Sequence, residues 1–155
     1  MISINKVRNI KIEEYKRAIL YIDKRCYKRE VRFNEEVLEY LLTKDTTLYV
    51  VNKWNNINDK THIVAYMMCY EDDNYFYLSS VAVLKKYRKE GLGKILFKKF
   101  LVEGRKYKTL RLHAINPIMV TMAERKGFKI IRRNKNYFGK VGALLMEKQN
   151  EQKRK

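Results

Sequence analysis

Residues 81 to 94 read Val81-Ala82-Val83-Leu84-Lys85-Lys86-Tyr87-Arg88-Lys89-Glu90-Gly91-Leu92-Gly93-Lys94. This pattern predicts the end of a β-branched strand, a basic turn, and a helix that two glycines open. Glycine lets the backbone approach a ligand closely, so that successive N–H groups point into one concavity. Because a helix N-terminus carries a partial positive charge, the turn is suited to hold a pyrophosphate.

Two other phosphate-binding loops do not fit this segment. A Walker loop requires Ser or Thr after Gly-Lys, but Ile95 follows Gly93-Lys94. A dinucleotide-binding fingerprint requires a third glycine, where this chain has Leu96. The glycine pair alone is also compatible with an ordinary strand-to-helix turn, so its interpretation depends on the rest of the chain.

Hydrophobic periodicity on either side of the segment predicts a mixed α/β (α+β) chain in the order ααβββαβαββ. Helices are predicted over 11–25, 34–42, 92–105 and 116–127, and strands over 47–53, 62–70, 75–83, 110–114, 128–133 and 141–146. Asn34 and Asn116 are predicted helix N-caps, and residues 55–59 a turn. The first three strands should form an antiparallel meander, which the strand at 110–114 joins through a helical crossover.

Composition indicates one folded domain over residues 1–148 and a basic, frayed tail over 149–155. The chain of 155 residues is 46% hydrophobic and 12% aromatic, enough to bury a core. No apolar run approaches the roughly 18 residues of a membrane span, and no secretory signal is present at residue 1. Two cysteines, Cys26 and Cys69, are too few for a disulfide framework or a zinc cage, so no metal site is predicted. We therefore expect a cytoplasmic protein, with the nucleus as the alternative.

The positive charge is concentrated in the second half of the chain. Residues 81–155 contain 22 Lys and Arg against 5 Asp and Glu, a balance of +17, whereas residues 1–80 contain 13 against 12, a balance of +1; together they give the net charge of +18. This asymmetry favours contact between the second half and a polyanion, such as a nucleic acid, a ribosome, a membrane surface or a ligand with several phosphates. The alternative is that the charge serves solubility.

Arg88-x-x-Gly91-x-Gly93 resembles the acetyl-coenzyme-A motif of the GNAT acetyltransferase superfamily, and Asn116 lies eleven residues before Gly127-Phe128, as in that superfamily's second conserved segment. The resemblance implies a GNAT fold: a mixed, mostly antiparallel central sheet and about four helices. Two neighbouring strands, at Val81–Val83 and at 110–113, should splay apart around acetyl-CoA. The residues expected to contact the coenzyme are Val81, Ala82, Val83, Arg88, Lys89, Glu90, Gly91, Leu92, Gly93, Lys94 and Asn116. A backbone N–H near Val81 or Ala82 would stabilise the oxyanion of the reaction.

Five further segments are similar to the catalytic subunit of NatE-type protein N-terminal acetyltransferases: Phe33 with Val37-Leu38-Glu39, Tyr77-Leu78-Ser79-Ser80-Val81, Leu112-His113-Ala114, Phe128-Lys129-Ile130-Ile131 and Lys135-Asn136-Tyr137-Phe138. This resemblance implies that Tyr77 and His113 remove the proton of the acceptor amine. It also implies an acceptor site formed by Tyr27, Ser79, Tyr137 and Phe138. An α-amino group has a pKa of about 7.7–8.0 and a lysine side chain about 10.4, so a neutral histidine suits a peptide N-terminus better.

The chain departs from these templates at three places. Ala123 stands where the superfamily has the tyrosine that protonates the leaving thiolate. His113 and Asn116 are closer together in sequence than the corresponding residues of the NatE-type template. Arg25-Cys26-Tyr27 replaces the apolar peptide-pocket segment of that family. Direct transfer needs no enzyme nucleophile, so Cys26 is expected to be a buried structural cysteine.

The favoured function is an acetyl-CoA-dependent N-acetyltransferase acting on protein N-termini. Candidate partners are a peptide or protein N-terminus as acceptor and a ribosome or auxiliary subunit, without a membrane or sequence-specific nucleic acid. Two alternatives stay open: acetylation of lysine side chains or small amines, and a catalytically weak GNAT-fold protein that binds acyl-CoA, RNA or a partner subunit.

Overall fold

The computed structural model describes residues 2–8, 12–43, 46–53, 62–138 and 141–150. Its strands are β1 (Ile2–Arg8), β2 (Thr46–Lys53), β3 (His62–Asp72), β4 (Tyr75–Val83), β5 (Thr109–Ala114), β6 (Lys129–Phe138) and β7 (Val141–Gln149). Its α-helices are α1 (Ile12–Cys26), α2 (Glu35–Thr43), α3 (Leu92–Glu103) and α4 (Pro117–Arg125), with short 3₁₀ turns at Lys85–Glu90 and Gly104–Lys106.

One sheet contains all seven of these strands in the order β1-β2-β3-β4-β5-β7-β6. Neighbouring strands are antiparallel except for β4 and β5, which are parallel and joined through α3. The predicted meander, crossover and mostly antiparallel mixed sheet are therefore confirmed.

Both faces of the sheet are covered by helices. Side chains alternate between the faces, as the pleat requires: Met67 of β3 packs on the α3 side, while Tyr66 and Met68 pack on the α1 side. The α3 side contains stacked rings of Phe76, Phe100 and Phe128, and the α1 side is mainly aliphatic around the buried ring of Tyr66. No helix within the described ranges is long and apolar enough to cross a membrane.

The structure corrects the prediction at both ends of the chain. A strand, β1, precedes the first predicted helix and pairs with β2 from Ile2↔Lys53 to Arg8↔Thr47. The sequence did not predict β1 because several of its residues are polar. An edge strand is held mainly by backbone hydrogen bonds, so it does not need a run of apolar side chains. Strand β6, at the opposite edge, likewise continues beyond Arg133 to Phe138, and β7 continues beyond Met146 to Gln149 because Glu147, Lys148 and Gln149 pair with β5.

Two sequence predictions fall outside the described residues. These are the turn at 55–59 and the last five residues of the predicted tail, 151–155.

Candidate active site

The β4–β5 pair opens into a cleft halfway along its length. Parallel pairing runs from Tyr75↔Thr109 to Leu78↔Leu112, although β4 continues to Val83 and β5 to Ala114. A bulge lies at the same point: Met68 pairs with Ser80 and Cys69 with Leu78, so Ser79 is an extra residue in β4. The predicted splay is confirmed, and the backbone of β4 beyond the bulge borders the cleft.

Tyr77 and His113 meet where the two strands separate. The Tyr77 hydroxyl lies 2.5 Å from His113 Nδ1. The Tyr137 ring, from β6, stacks on the imidazole with centroids 4.1 Å apart and planes 15° apart. Tyr70 packs on the other side of Tyr77, at 5.0 Å between centroids. Three residues that the sequence singled out thus form one aromatic cluster, although they belong to three strands.

Burial sets the protonation of the pair. It raises the pKa of Tyr77 well above its usual range, and the adjacent Tyr137 adds to the rise. Burial also lowers the pKa of His113, because a charged imidazolium loses hydration there. At neutral pH the cluster therefore holds a protonated phenol against a neutral imidazole, which has one ring nitrogen able to accept a proton.

A cavity of about 270 Å³ lies over this pair, on the α1–α2 side of the sheet. The loop between α1 and α2 supplies Val31 and Phe33, and α2 supplies Val37. The sheet supplies Ser79, Tyr77, His113 and Tyr137. An apolar wall therefore faces a polar floor that contains the His–Tyr pair, as an acceptor site with a reactive end requires.

Two of the predicted acceptor residues need comment. Tyr27 lines the cavity, but its hydroxyl donates to the Val81 carbonyl, and burial raises its pKa to about 12. That hydroxyl therefore supports β4 rather than standing free for a peptide. Phe138 is the last residue of β6, paired with Val141, and its side chain lies outside the described residues.

The glycine turn has the geometry that a pyrophosphate requires. Gly91 is the N-cap of α3 with φ +75°, a left-handed conformation that glycine adopts readily. The first helical bond is Ile95 N–H to the Gly91 carbonyl, so the N–H groups of Leu92, Gly93 and Lys94 have no acceptor within the helix. A methyl group added at Gly93 would meet no atom within 4 Å. Open space therefore lies beside Gly93, next to a helix start whose first N–H groups have no helical acceptor, and this arrangement fits the pyrophosphate of coenzyme A.

Side chains of the basic turn are partly committed elsewhere. Arg88 Nε donates to the Val83 carbonyl at 2.9 Å, and the Lys53–Glu90 ion pair measures 2.8 Å. Lys89 and Lys94 are exposed. Because the side chains of Arg88 and Glu90 have protein partners, this turn presents mainly its backbone and four exposed lysines, Lys85, Lys86, Lys89 and Lys94, to a ligand.

Asn116 caps α4, as the sequence predicted. Its Oδ1 accepts from Met119 N–H at 2.9 Å, and Pro117 follows at N1. Asn116 also lines the cavity. Its contact with the coenzyme stays a prediction.

Neither Ala123 nor Cys26 supplies a reactive group to the site. Ala123 is fully buried in the core on the α3 side, so no hydroxyl is available there. Cys26 is half-buried rather than buried, and its thiol donates to the Val83 carbonyl at 3.4 Å. Burial raises the pKa of Cys26, which makes it a poor nucleophile.

Sequence reasoning missed a polar network beneath the cavity. Asp23 is 2% exposed and accepts from the Tyr66 hydroxyl at 3.0 Å and from Phe33 N–H at 2.7 Å. One signal was present: Asp23 is a lone acid beside Ile19 and Ile22, on the face that α1 buries.

A split parallel strand pair, a glycine turn built for a pyrophosphate and a buried His–Tyr pair together define a coenzyme-A-dependent acyltransferase. The chain belongs to the GNAT acetyltransferase family: the family model described as "Acetyltransferase (GNAT) family" matches residues 6–128. This family uses acetyl-CoA as the acetyl donor.

Solved structures share the whole fold at low sequence identity. The ribosomal-protein-S18-alanine N-acetyltransferase from Escherichia coli has a TM-score of 0.81 at 18% identity, over 100% of this chain and 97% of that chain. Arabidopsis thaliana Naa50 in complex with the bisubstrate analogue CoA-Ac-MVNAL has a TM-score of 0.70 at 19% identity, over 96% and 98%. A GNAT family acetyltransferase from Elizabethkingia anophelis with acetyl-CoA bound has a TM-score of 0.67 at 20% identity, over 96% and 97%. No curated protein matches the sequence significantly.

Proposed function

We propose that this protein transfers the acetyl group of acetyl-CoA directly to the α-amino group of protein N-termini. The observation that carries the proposal is the Tyr77–His113 hydrogen bond at the mouth of the β4–β5 cleft, stacked under Tyr137. A neutral imidazole in that place matches the pKa of an α-amino group, about 7.7–8.0, much better than that of a lysine side chain, about 10.4.

The pair provides a route for the amine proton. Tyr77 is protonated because of its raised pKa, and in our proposal His113 carries its ring proton on Nε2, so that the Tyr77 hydroxyl donates to His113 Nδ1. As the amine proton passes to the Tyr77 oxygen, the phenolic proton passes to Nδ1, so that Tyr77 stays neutral and His113 becomes the imidazolium. Acetyl-CoA would supply the acetyl group as a thioester, and a deprotonated amine is the nucleophile that such an acyl transfer needs.

The same route serves the return of the proton. Since Ala123 has no hydroxyl, the family's usual proton donor to the thiolate is missing. In our proposal His113 gives its proton back through Tyr77 to the leaving thiolate, which restores the starting protonation, and the second proton of the attacking nitrogen leaves to solvent. Cys26 takes no part, because its thiol is committed to the Val83 carbonyl.

The structural neighbours support a peptide acceptor and candidate partners. Two are an S18-alanine N-acetyltransferase and Naa50 with a CoA-peptide analogue, and a third structure is the NatC complex bound to Gag peptide and CoA. We accordingly include in the proposal an N-terminal peptide as acceptor and either a ribosome or an auxiliary subunit as docking partner. The balance of +17 in residues 81–155 favours the ribosome, because RNA phosphates attract exposed cations.

A second candidate acceptor is a lysine side chain or a small amine. Glu30 and Glu36 are exposed and adjoin Val31 and Val37 of the cavity wall, so they would attract a cation. This attraction is limited, because Lys16 forms ion pairs with the neighbouring Glu35, at 2.9 Å, and Glu39.

The test is a thermal shift with acetyl-CoA followed by turnover. At a concentration near 100 times Kd, acetyl-CoA should stabilise the protein by about 2.7 kcal/mol. Turnover is then compared on three acceptors of matched length or charge: peptides with free N-termini, N-terminally blocked peptides with one lysine, and small amines. Mass spectrometry locates the acetyl group. Acetylation of free N-termini alone supports the proposal, and acetylation of lysine alone contradicts it.

A further inference from the structure

Asp23 is a buried carboxylate outside the proton path. It is 2% exposed, and the other buried polar side chains among the described residues are the neutral Thr46, Thr47 and Asn52. Burial of a carboxylate is costly unless hydrogen bonds compensate it. Burial raises the pKa of Asp23, and the Phe33 N–H, the Tyr66 hydroxyl and the charge of Arg32 oppose the rise. A side chain held at such cost calls for a structural or functional reason.

The partners of Asp23 connect four elements. Oδ2 accepts from the backbone N–H of Phe33, in the loop between α1 and α2, at 2.7 Å. Oδ1 accepts from the Tyr66 hydroxyl of β3 at 3.0 Å. That hydroxyl is 2.9 Å from Ser80 Oγ of β4, and since its proton goes to Asp23, Ser80 is the donor in the second bond. A chain of hydrogen bonds thus runs from β4 through β3 and α1 to the loop.

The two ends of this chain are opposite walls of the same cavity. Phe33 and Val31 belong to the apolar wall. Ser80 belongs to the opposite wall, in β4, directly after the bulge at Ser79. Asp23 itself lines the cavity between them. The Asp23 carboxylate therefore links the apolar wall to β3 and, through Tyr66 and Ser80, to β4, while the Tyr27–Val81 bond separately joins the start of the loop to β4.

The coenzyme turn does not take part in this chain. Arg88 contacts the Val83 carbonyl, and α3 begins at Leu92 on the other face of the sheet. Loss of the Asp23 carboxylate should therefore widen the acceptor cavity and leave the pyrophosphate site intact.

We propose that Asp23 is a positioning residue for the acceptor: it holds the α1–α2 loop at a fixed distance from β4 and so determines the KM for the acceptor but not the affinity for acetyl-CoA. The proposal rests on the acetyl-transfer function proposed above. Asp23 acts through Phe33 and Ser80 and takes no proton from the substrate.

The first test compares Asp23→Asn with wild type. Asn keeps the volume of Asp but is neutral, so both charge-assisted hydrogen bonds become weaker neutral ones, and the bond to Tyr66 persists only if the hydroxyl accepts from the amide instead of donating. We expect the KM for the acceptor to rise about tenfold, the effect of one hydrogen bond to a charged group, with kcat and the Kd for acetyl-CoA within about twofold of wild type. Glu36→Gln is the matched control, because it makes the same change of charge at an exposed position next to the same wall.

Tyr66→Phe provides a second, graded variant. It removes the link to Ser80 but leaves the Phe33–Asp23 bond, so the acceptor KM should rise by less than in Asp23→Asn. A fall in kcat without a change in acceptor KM, in either variant, overturns the proposal, because Asp23 would then act on the chemical step.

If no acceptor is found, the proposed function has failed. Two measurements on the folded protein still test the positioning role of Asp23 in that case. Amide hydrogen exchange over residues 28–34 should accelerate at least about tenfold in Asp23→Asn, while β3 and β4 stay protected. Calorimetry should give an unchanged Kd for acetyl-CoA. Unchanged loop exchange, or a parallel loss of acetyl-CoA affinity, would each overturn the positioning role.

Discussion

The two sides of the β4–β5 cleft are built by different means. On the coenzyme side, the donors are backbone N–H groups at the start of α3, in front of the open space at Gly93. On the acceptor side, the surface is made by side chains from α1, α2, the loop between them, β3, β4, β5 and β6. A backbone site depends on a local conformation, whereas a side-chain site depends on long-range packing. The two sides should therefore respond differently to substitution.

The largest separation between the two sides is expected from His113→Ala. Removal of a general base lowers kcat about 100- to 10,000-fold, while the Kd for acetyl-CoA should change less than about twofold because the pyrophosphate site is untouched. Steady-state kinetics and calorimetry measure the two quantities.

Tyr77→Phe should also lower kcat strongly. Its control is Tyr75→Phe, on the same face of β4, whose hydroxyl bonds Asp72 at 2.8 Å. Near-normal turnover of both His113→Ala and Tyr77→Phe would show that the cluster is not catalytic.

The complementary substitution is Gly93→Ala, which addresses the coenzyme side. The added methyl group clashes with no atom but occupies the open space beside the first turn of α3, where the pyrophosphate is proposed to bind. We expect the Kd for acetyl-CoA to rise about 10- to 100-fold, as two or so charge-assisted hydrogen bonds weaken. The thermal midpoint should stay the same or rise, because Ala favours a helix over Gly by about 1 kcal/mol.

Gly104→Ala is the matched control for this substitution. A Cβ there would overlap the Leu110 side chain in the core, so it should lower the thermal midpoint without changing the Kd. Equal effects of the two substitutions on the Kd would contradict a pyrophosphate site at Gly93.

A smaller effect is expected from Tyr137→Ala, which sharpens the role of the acceptor wall. The ring stacks on His113 and is 44% exposed, so its removal should cost little stability. Aromatic pairs contribute about 0.5–1.5 kcal/mol, which corresponds to a roughly 2- to 12-fold fall in kcat/KM for peptides. Tyr137→Phe keeps the stacking and should lose less. Ile131→Ala, exposed on the same strand, should have no effect. A fall in acetyl-CoA affinity in Tyr137→Ala would contradict the separation of the two sides.

The smallest effect concerns the pH dependence of kcat. Burial disfavours the imidazolium, so the pKa of His113 lies below the usual value of about 6.5. The neutral base therefore persists above that lowered pKa, and kcat should fall only as the pH drops through it. A pH–rate profile at saturating peptide measures the midpoint of this acid limb. A midpoint above about 6.5 would show that His113 is stabilised as a cation instead.

The same contrast explains what could be predicted from the sequence. The glycine turn and the Asn116 cap were predictable because each depends on residues a few positions apart, and the β4–β5 crossover was predictable from the strand–helix–strand order along the chain. Tyr77 and His113 were located only through a family resemblance, since nothing local distinguishes one of twelve tyrosines. Asp23 was missed because its partners, Phe33 and Tyr66, lie 10 and 43 residues away. Strand β1 was missed because pairing with β2, rather than its own pattern, makes it a strand.

The position of β6 gives part of the positive charge a purpose that involves no ligand. In the described sheet β6 is the last strand beyond β7, and its outer edge has backbone groups that could pair with a strand of another molecule. Lys129, Arg132, Arg133 and Lys135 are all exposed along this strand. If the β6 edges of two molecules came together, the positive charges of one would lie close to those of the other. This repulsion disfavours growth of the sheet into an aggregate. The positive charge along β6 thus disfavours edge-to-edge association between copies of this protein.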